Sequence, residues 1–286
     1  MGNDDSDGVV EEVGRPGAGK GGGSLPAHAR GHYLIAVGFA VVIFFGCILS
    51  PPSLMDDVDS VQAQIARNMV QSGDWVTPRL DGVVYLEKSP LVYWMMAASY
   101  KVFGVHDWAA RIPIALGVVF LCGMVCRFGE WAFGANTGMY AGICLATCVG
   151  LFLFTRILIP DCILTLAITV AMYSMLRLLE DRRPMRWPML FWASMAIAAL
   201  LKGLIGVIFP VGVAVIYLIA TRRLTRLETL KSFRPVSGLL LFLIIAAPWH
   251  VLATIRNPPL FGFAMHSESG SYHGFFWFYF INEHVL

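Results

Sequence analysis

Long apolar runs separated by short polar segments dominate the chain from residue 33 onward. The first run, 33–50, has 18 residues, which is long enough to begin crossing the hydrocarbon core of a bilayer. Six further runs have the same character, and their bounds are 109–126, 135–154, 162–178, 187–201, 204–221 and 236–254. The pattern therefore predicts an all-α polytopic membrane protein of about seven transmembrane helices.

The polar stretch 51–108 between the first two runs has a different pattern. Val61, Ile65 and Met69 recur every fourth residue with polar residues between them, which predicts an amphipathic helix on the membrane surface that ends at Gly73. The apolar segment 90–104 has only 15 residues and carries a lysine. It predicts an interfacial or re-entrant helix, because a full span here would break the alternation of the loops.

Positive charge predicts the orientation. Basic residues lie ahead of the first run and cluster again in 177–186 and 222–234, so these segments and the N-terminus should face the cytoplasm. The loop 51–108 and the segment 255–286 then fall outside. The Gly-rich residues 1–31 are expected to be a disordered cytoplasmic tail, and 32–286 the transmembrane domain. Because Pro51-Pro52 follow the first run and no small-x-small site does, this run is expected to be a signal anchor.

Composition agrees with a polytopic membrane protein, and the plasma (inner) membrane is its expected location. The chain is 57% apolar and 14% charged, and its mean hydropathy is +0.67. A net charge of +2 gives no indication of a nucleic-acid partner. The sequence contains no glycine-rich phosphate loop, which argues against a nucleotide-driven pump.

Several polar clusters converge on the predicted outer side. They are Asp56, Asp57 and Asp59; Glu87 and Lys88; Asp161; Lys202; and Glu283 and His284. Each also has a purely structural explanation. Asp59 or Ser60 could cap the helix over 61–72, and Asp161 could cap the span that starts there. Lys202 could snorkel at the end of a span, and the two charged pairs could be solvated loop residues. A single cap would leave the other two aspartates of the first cluster unexplained.

Taken together, these side chains suggest a reaction type. A carboxylate can serve as a general base, and a nearby lysine can stabilise an anionic phosphate. A lipid-linked phosphosugar offers such a phosphate at the bilayer surface. Its phosphate leaves readily, so the base need only deprotonate an acceptor hydroxyl in line with the anomeric carbon.

The run DDVDSVQAQIARNMVQSGDWVTPRLDGVVYLEKSPLVYW resembles the GT-C membrane glycosyltransferases of the protein O-mannosyltransferase and lipid A aminoarabinose transferase group. The resemblance rests on A-x-x-M at 66–69, G-D-W at 73–75, P-x-L at 78–80, Y-L-E-K-x-P at 85–90 and Y-W at 93–94. Asp161, K-G at 202–203, P-W at 248–249 and E-H at 283–284 follow in the family's order. Family members often have Asp-Glu where this chain has Asp-Asp-Val-Asp.

The resemblance implies roles for these residues. The catalytic acid falls on Asp56, Asp57 or Asp59, with Asp57 preferred as the base. Lys88 would bind the donor phosphate, and Glu87 and His284 could together hold a divalent metal ion. The remaining substrate-binding candidates are Tyr85, Glu87, Asp161, Lys202, Glu283 and His284. Because family members usually continue through further spans, the chain is expected to be an N-terminal portion.

The implied function is transfer of a sugar from a polyprenyl-phosphate donor to a lipid or protein hydroxyl outside the cytoplasm. This hypothesis requires 56–59, 87–88 and 283–284 to share one pocket at the outer boundary of the membrane. Two alternatives stay open. A transporter or flippase for polyprenyl-linked sugars would place charges at the bilayer midplane, and a non-catalytic membrane subunit would lack an outer cavity.

Overall fold

The computed structural model describes residues 27–50, 53–54, 57–180, 184–260 and 273–282, with the backbone alone for 27–29, 47 and 57. These residues are almost entirely helical. The first half contains α1 (Ala27–Leu49), α2 (Asp57–Ser72), a hairpin of β1 (Arg79–Leu80) and β2 (Val83–Val84), α3 (Leu91–Phe103), α4 (Asp107–Phe133), α5 (Ala135–Ala146) and α6 (Val149–Thr155). The second half contains α7 (Asp161–Glu180), α8 (Arg186–Lys202), α9 (Ile205–Ala220), α10 (Leu227–Ser232), α11 (Pro235–Arg256), α12 (Gly274–Phe276) and a π-helix (Trp277–Asn282).

Six of the seven predicted apolar segments each coincide with one helix, and the seventh, 135–154, is divided between α5 and α6. Among the described residues, three helical stretches are long and apolar enough to cross a membrane, namely Asp107–Phe133, Asp161–Glu180 and Leu227–Arg256. A fourth is possible if α5 and α6, bent by 55°, count as one span. The mostly helical membrane architecture is thus confirmed, whereas the count of seven spans stays a prediction.

Two boundaries differ from the sequence prediction. Helix α1 begins at Ala27, inside the segment assigned to the tail, because alanine, histidine and arginine extend the helix without needing an apolar face. The predicted span 135–154 is broken between α5 and α6. There the Thr147 hydroxyl donates to the carbonyl oxygens of Ile143 and Cys144, and Cys148 adopts an extended backbone that ends the first helix.

Small residues allow the first membrane helices to approach closely. Gly138 of α5 lies directly against α4, where a Cβ on Gly138 would stand 2.4 Å from the carbonyl oxygen of Cys126 and 2.5 Å from the amide nitrogen of Glu130. Glycine at this position lets the two backbones touch, as is typical of helix pairs in membranes.

The segment 57–103 folds as predicted into short helices. Helix α2 buries Ile65 and Met69 against α3 and α4, and it ends at Gly73, which has a φ of 73° and donates its amide to the carbonyl of Met69. Helix α3 has only 13 residues, with Tyr93, Met96 and Tyr100 buried. Both helices therefore share one core with α4 and the turn before α7.

The end of α11 is fastened to the loop that follows α2. The indole nitrogen of Trp249 donates to the carbonyl oxygen of Val76 at 2.9 Å, and Arg256 pairs with Asp74 at 2.9 Å. The amide of Asn257 reaches the Thr77 hydroxyl. The loop after α2 and the end of α11 therefore lie at the same end of the helical assembly.

Candidate active site

A cavity of about 380 Å³ opens at this end of the assembly. Its wall comes from five parts of the chain, namely α2, the segment after β2, the start of α3, the start of α7 with the turn before it, and the end of α8. The lining residues are Val58, Val61, Gln62, Tyr85, Lys88, Val92, Ile159, Pro160, Asp161, Leu201 and Lys202. Four predicted site residues, Tyr85, Lys88, Asp161 and Lys202, are thus brought together.

Lys88 is held at the cavity by its neighbours in the chain. Leu86 and Ser89 are buried on either side of the exposed Glu87-Lys88 pair. The Ser89 hydroxyl donates to the carbonyl oxygen of Ala199 at 3.0 Å and shares a short hydrogen bond with the hydroxyl of Tyr279. These contacts fasten the segment to α8 and to the π-helix, so that the ammonium of Lys88 is presented to the cavity by a fixed backbone.

Asp161 and Lys202 form an ion pair across the cavity wall. The Lys202 ammonium lies 2.5 Å from a carboxylate oxygen of Asp161, and the two side chains are 39% and 37% exposed. Asp161 is the first residue of α7 and Lys202 the last of α8, so each charge also interacts favourably with its helix dipole. Both ions remain accessible to a ligand. The helix-capping explanation for Asp161 is thus incomplete, since its carboxylate also contacts Lys202.

Glu87 stands at the edge of the same cavity. Its carboxylate accepts a hydrogen bond from the Tyr85 hydroxyl at 2.9 Å.

The hydroxyl of Tyr93 is buried without a hydrogen-bond partner. Burial, with the added effect of Tyr85 and Glu87, raises the pKa of Tyr93, which keeps this phenol neutral.

Asp59 lies behind the cavity wall and is not among its lining residues. It is 4% exposed, and one of its oxygens contacts the guanidinium of Arg111 at 3.0 Å. Its other oxygen accepts the backbone N–H of Leu158 at 2.7 Å. Because α2 already begins at Asp57, Asp59 and Ser60 are inside the helix and do not occupy the capping position that the sequence allowed.

The other predicted residues cannot be placed in the site. The side chain of Asp57 and the whole of Asp56, Glu283 and His284 lie outside the described residues. The pocket shared by 56–59, 87–88 and 283–284 therefore stays a prediction. The metal site formed by Glu87 and His284 also stays a prediction. In the part of the chain that the structure describes, no group of three or more His, Cys, Asp or Glu side chains could hold a metal ion.

Sequence reasoning missed Arg111 and the pair of Ser89 and Tyr279. Arg111 offered a signal, because an arginine inside an otherwise apolar run requires a buried partner. Ser89 and Tyr279 offered none, since their contact joins residues 190 positions apart.

A family model described as dolichyl-phosphate-mannose-protein mannosyltransferase matches residues 87–251, more than half of the chain. Among curated proteins, an undecaprenyl phosphate-alpha-4-amino-4-deoxy-L-arabinose arabinosyl transferase of Aeromonas salmonicida is 28% identical over 241 residues, which is 82% of this chain and 41% of that protein. An uncharacterised protein of Aquifex aeolicus is 26% identical over 249 residues, 87% of this chain and 51% of that protein. The chain thus spans about half or less of these relatives.

Solved structures agree with the sequence comparisons. The crystal structure of ArnT from Cupriavidus metallidurans bound to undecaprenyl phosphate superimposes with a TM-score of 0.74 and 27% identity, covering 90% of this chain and 44% of that one. Its apo form gives a TM-score of 0.72 and covers 88% of this chain and 47% of that one. With the candidate spans, this likeness identifies an integral membrane protein. The chain belongs to the dolichyl-phosphate-mannose-protein mannosyltransferase family of GT-C glycosyltransferases, which use polyprenyl-phosphate sugars.

Proposed function

We propose that the cavity binds the phosphate of a polyprenyl-phosphate sugar and that the protein transfers the sugar to a hydroxyl of a lipid or protein acceptor. The observation that carries this proposal is the convergence of Lys88 and Lys202 on one cavity of about 380 Å³. Two ammonium groups beside an apolar wall suit a ligand that joins a phosphate to a hydrocarbon chain. The solved relative ArnT, which is bound to undecaprenyl phosphate, supports the choice of donor.

The proposed chemistry assigns roles to Asp57, Lys88 and Lys202. A carboxylate, for which Asp57 is our candidate, takes the proton of the acceptor hydroxyl, and the acceptor oxygen attacks the anomeric carbon. The bond from that carbon to the phosphate oxygen breaks, and the polyprenyl phosphate leaves with the electron pair. Lys88, assisted by Lys202, stabilises the charge that builds on the phosphate.

The membrane arrangement is part of the proposal. Seven spans with a cytoplasmic N-terminus would place the cavity at the outer face of the plasma membrane. The positions of the charges support an outer site over a transport pathway, because Asp161 and Lys202 lie at the ends of α7 and α8 and not at their midpoints. A divalent metal could bind to Glu87 and His284. One carboxylate and one imidazole make an incomplete ligand set, so no step of the reaction is assigned to it.

The contact between Ser89 and Tyr279 supports the shared pocket. Ser89 follows Glu87 by two residues, and Tyr279 precedes Glu283 by four, so the hydrogen bond between their side-chain hydroxyls links the two segments. This contact fits the hypothesis that Glu283 and His284 approach Glu87 from the opposite wall.

The test is a Lys88→Ala variant with Lys101→Ala as its matched control. Lys101 is also an exposed lysine of the same region, but it contacts the Trp75 ring and lies outside the cavity. A charge-assisted contact with a phosphate contributes about 1.5–3 kcal/mol, so Lys88→Ala should weaken binding of undecaprenyl phosphate by about 10- to 100-fold. Equal affinities of the two variants would refute the assignment of the cavity.

A second variant tests the base. Asp57→Asn should abolish transfer of a labelled sugar to the lipid or protein fraction of membranes and leave the affinity for undecaprenyl phosphate unchanged. Asp81→Asn, in the exposed turn of the hairpin, is the control. Wild-type transfer by Asp57→Asn would exclude Asp57 as the base.

A further inference from the structure

Arg111 is a fully buried charge near the start of α4. Its side chain has no exposed surface, and its guanidinium contacts the Asp59 carboxylate at 3.0 Å and donates to the carbonyl oxygen of Asp107 at 3.1 Å. A buried ion pair of this kind recovers its desolvation cost only when its geometry is good and its remaining hydrogen-bonding groups are occupied. The Nε of Arg111 is buried without a hydrogen-bond partner, so the contacts of the two terminal nitrogens with Asp59 and Asp107 carry the stabilisation of this buried charge.

The Asp59 carboxylate connects three parts of the chain. Asp59 belongs to α2, Arg111 belongs to α4, and the backbone N–H of Leu158 belongs to the turn 156–160 that leads into α7. Leu158 itself is fully buried. The next three residues, Ile159, Pro160 and Asp161, all line the cavity. Whatever fixes the Leu158 amide thus also fixes the cavity wall that carries Asp161.

We propose that Asp59 and Arg111 are positioning residues that hold the turn 156–160 in place, and with it the Asp161 side chain that orients the Lys202 ammonium toward the donor phosphate. The proposal rests on the function proposed above for the cavity. It also removes Asp59 from the candidates for the base. Both oxygens of Asp59 are already engaged, the residue is buried, and it does not line the cavity. A base must instead reach the proton of an acceptor hydroxyl.

Three variants distinguish positioning from catalysis. Asp59→Asn keeps an oxygen for the Leu158 amide but leaves the buried Arg111 charge without an opposite charge. Arg111→Gln leaves the buried Asp59 carboxylate without an opposite charge. Either single variant can unfold for this reason. The double variant Asp59→Asn, Arg111→Gln replaces the ion pair with two neutral amides that can still bond to each other, so it keeps the test decisive.

Asp74→Asn is the matched control. Asp74 is likewise an aspartate that pairs with an arginine, Arg256, and accepts backbone amides, those of Val76 and Thr77. It differs in being partly exposed and in having no contact with the turn 156–160.

Two measurements apply to each variant: hydrogen exchange of the peptide that covers 156–160 in the ligand-free protein, and affinity for undecaprenyl phosphate. We expect Asp59→Asn to accelerate exchange at Leu158 by about 10-fold and to weaken binding by a similar factor. The double variant should restore both values to within about threefold of the wild type. The control should change exchange in its own loop and leave 156–160 unaltered.

Unchanged exchange at 156–160 in Asp59→Asn, or a double variant as defective as that single variant, would overturn the proposal. Loss of protection throughout α4 in the double variant would also overturn it, because the pair would then support the fold in general. If the wild-type protein fails to bind undecaprenyl phosphate while the exchange results hold, the proposed function fails and the structural coupling stands.

Discussion

Neutralising Asp161 should strengthen binding of the donor phosphate. Asp161 and Lys202 stand 2.5 Å apart in the cavity, so the carboxylate offsets one of the two positive charges that would meet the phosphate. Asp161→Asn removes that offset while keeping the shape of the side chain and an amide oxygen that can still accept a hydrogen bond from Lys202. The cavity then presents Lys88 and Lys202 without an opposing charge.

The magnitude follows from the geometry of the pair. A phosphate oxygen that accepts a hydrogen bond from Lys202 would lie about 5–6 Å from the Asp161 carboxylate. Repulsion between unit charges at that distance is about 3 kcal/mol at an effective dielectric constant of 20 and about 0.7 kcal/mol in water. Since both side chains are more than one third exposed, the lower half of this range applies, which gives a gain in affinity of about 3- to 20-fold.

The assay is a titration of the purified protein with undecaprenyl phosphate, at low salt and again at about 0.5 M salt, where screening should reduce the gain. Asp74→Asn is the control, because it removes an aspartate at the same end of the protein but outside this cavity. Equal or weaker binding by Asp161→Asn would refute the placement of the phosphate beside Lys202.

The remaining predictions concern the packing of α5 on α4 and the contact of α11 with the loop after α2. Gly138→Ala should destabilise the protein by about 1–3 kcal/mol in a thermal-unfolding measurement, because the new methyl group meets the α4 backbone. Gly212→Ala is the control, because a Cβ at Gly212 has no neighbour within 4 Å. Trp249→Phe leaves the Val76 carbonyl without its indole donor, so the free energy of unfolding should fall by about 1–3 kcal/mol and proteolysis of the loop 73–78 should increase. Unchanged proteolysis of this variant would contradict the role of Trp249 in holding the loop.

The helices could be predicted from the sequence because their cause is local. The apolar runs and the four-residue repeat of Val61, Ile65 and Met69 each determine a helix regardless of the rest of the chain. The break between α5 and α6 could not be predicted in this way. It depends on a threonine that bonds back to its own helix, and threonine at such a position is compatible with an unbroken helix.

The sequence indicated four of the residues that line the cavity, but it did not indicate how neighbouring side chains are oriented. Tyr85, Lys88, Asp161 and Lys202 do line one cavity. Asp59 belongs to the same acidic segment yet turns away from the cavity, because the buried guanidinium of Arg111 attracts its carboxylate. The orientation of Asp59 is determined by a contact between residues 52 positions apart, and no local pattern around Asp59 indicates that contact.

The measurement that tests the central claim most directly is an experimental structure of the protein with undecaprenyl phosphate bound in a lipid nanodisc. We predict the phosphate within hydrogen-bonding distance of the Lys88 and Lys202 ammonium groups, with the Asp161 carboxylate at its side. A phosphate bound elsewhere, with this cavity empty, would contradict the account.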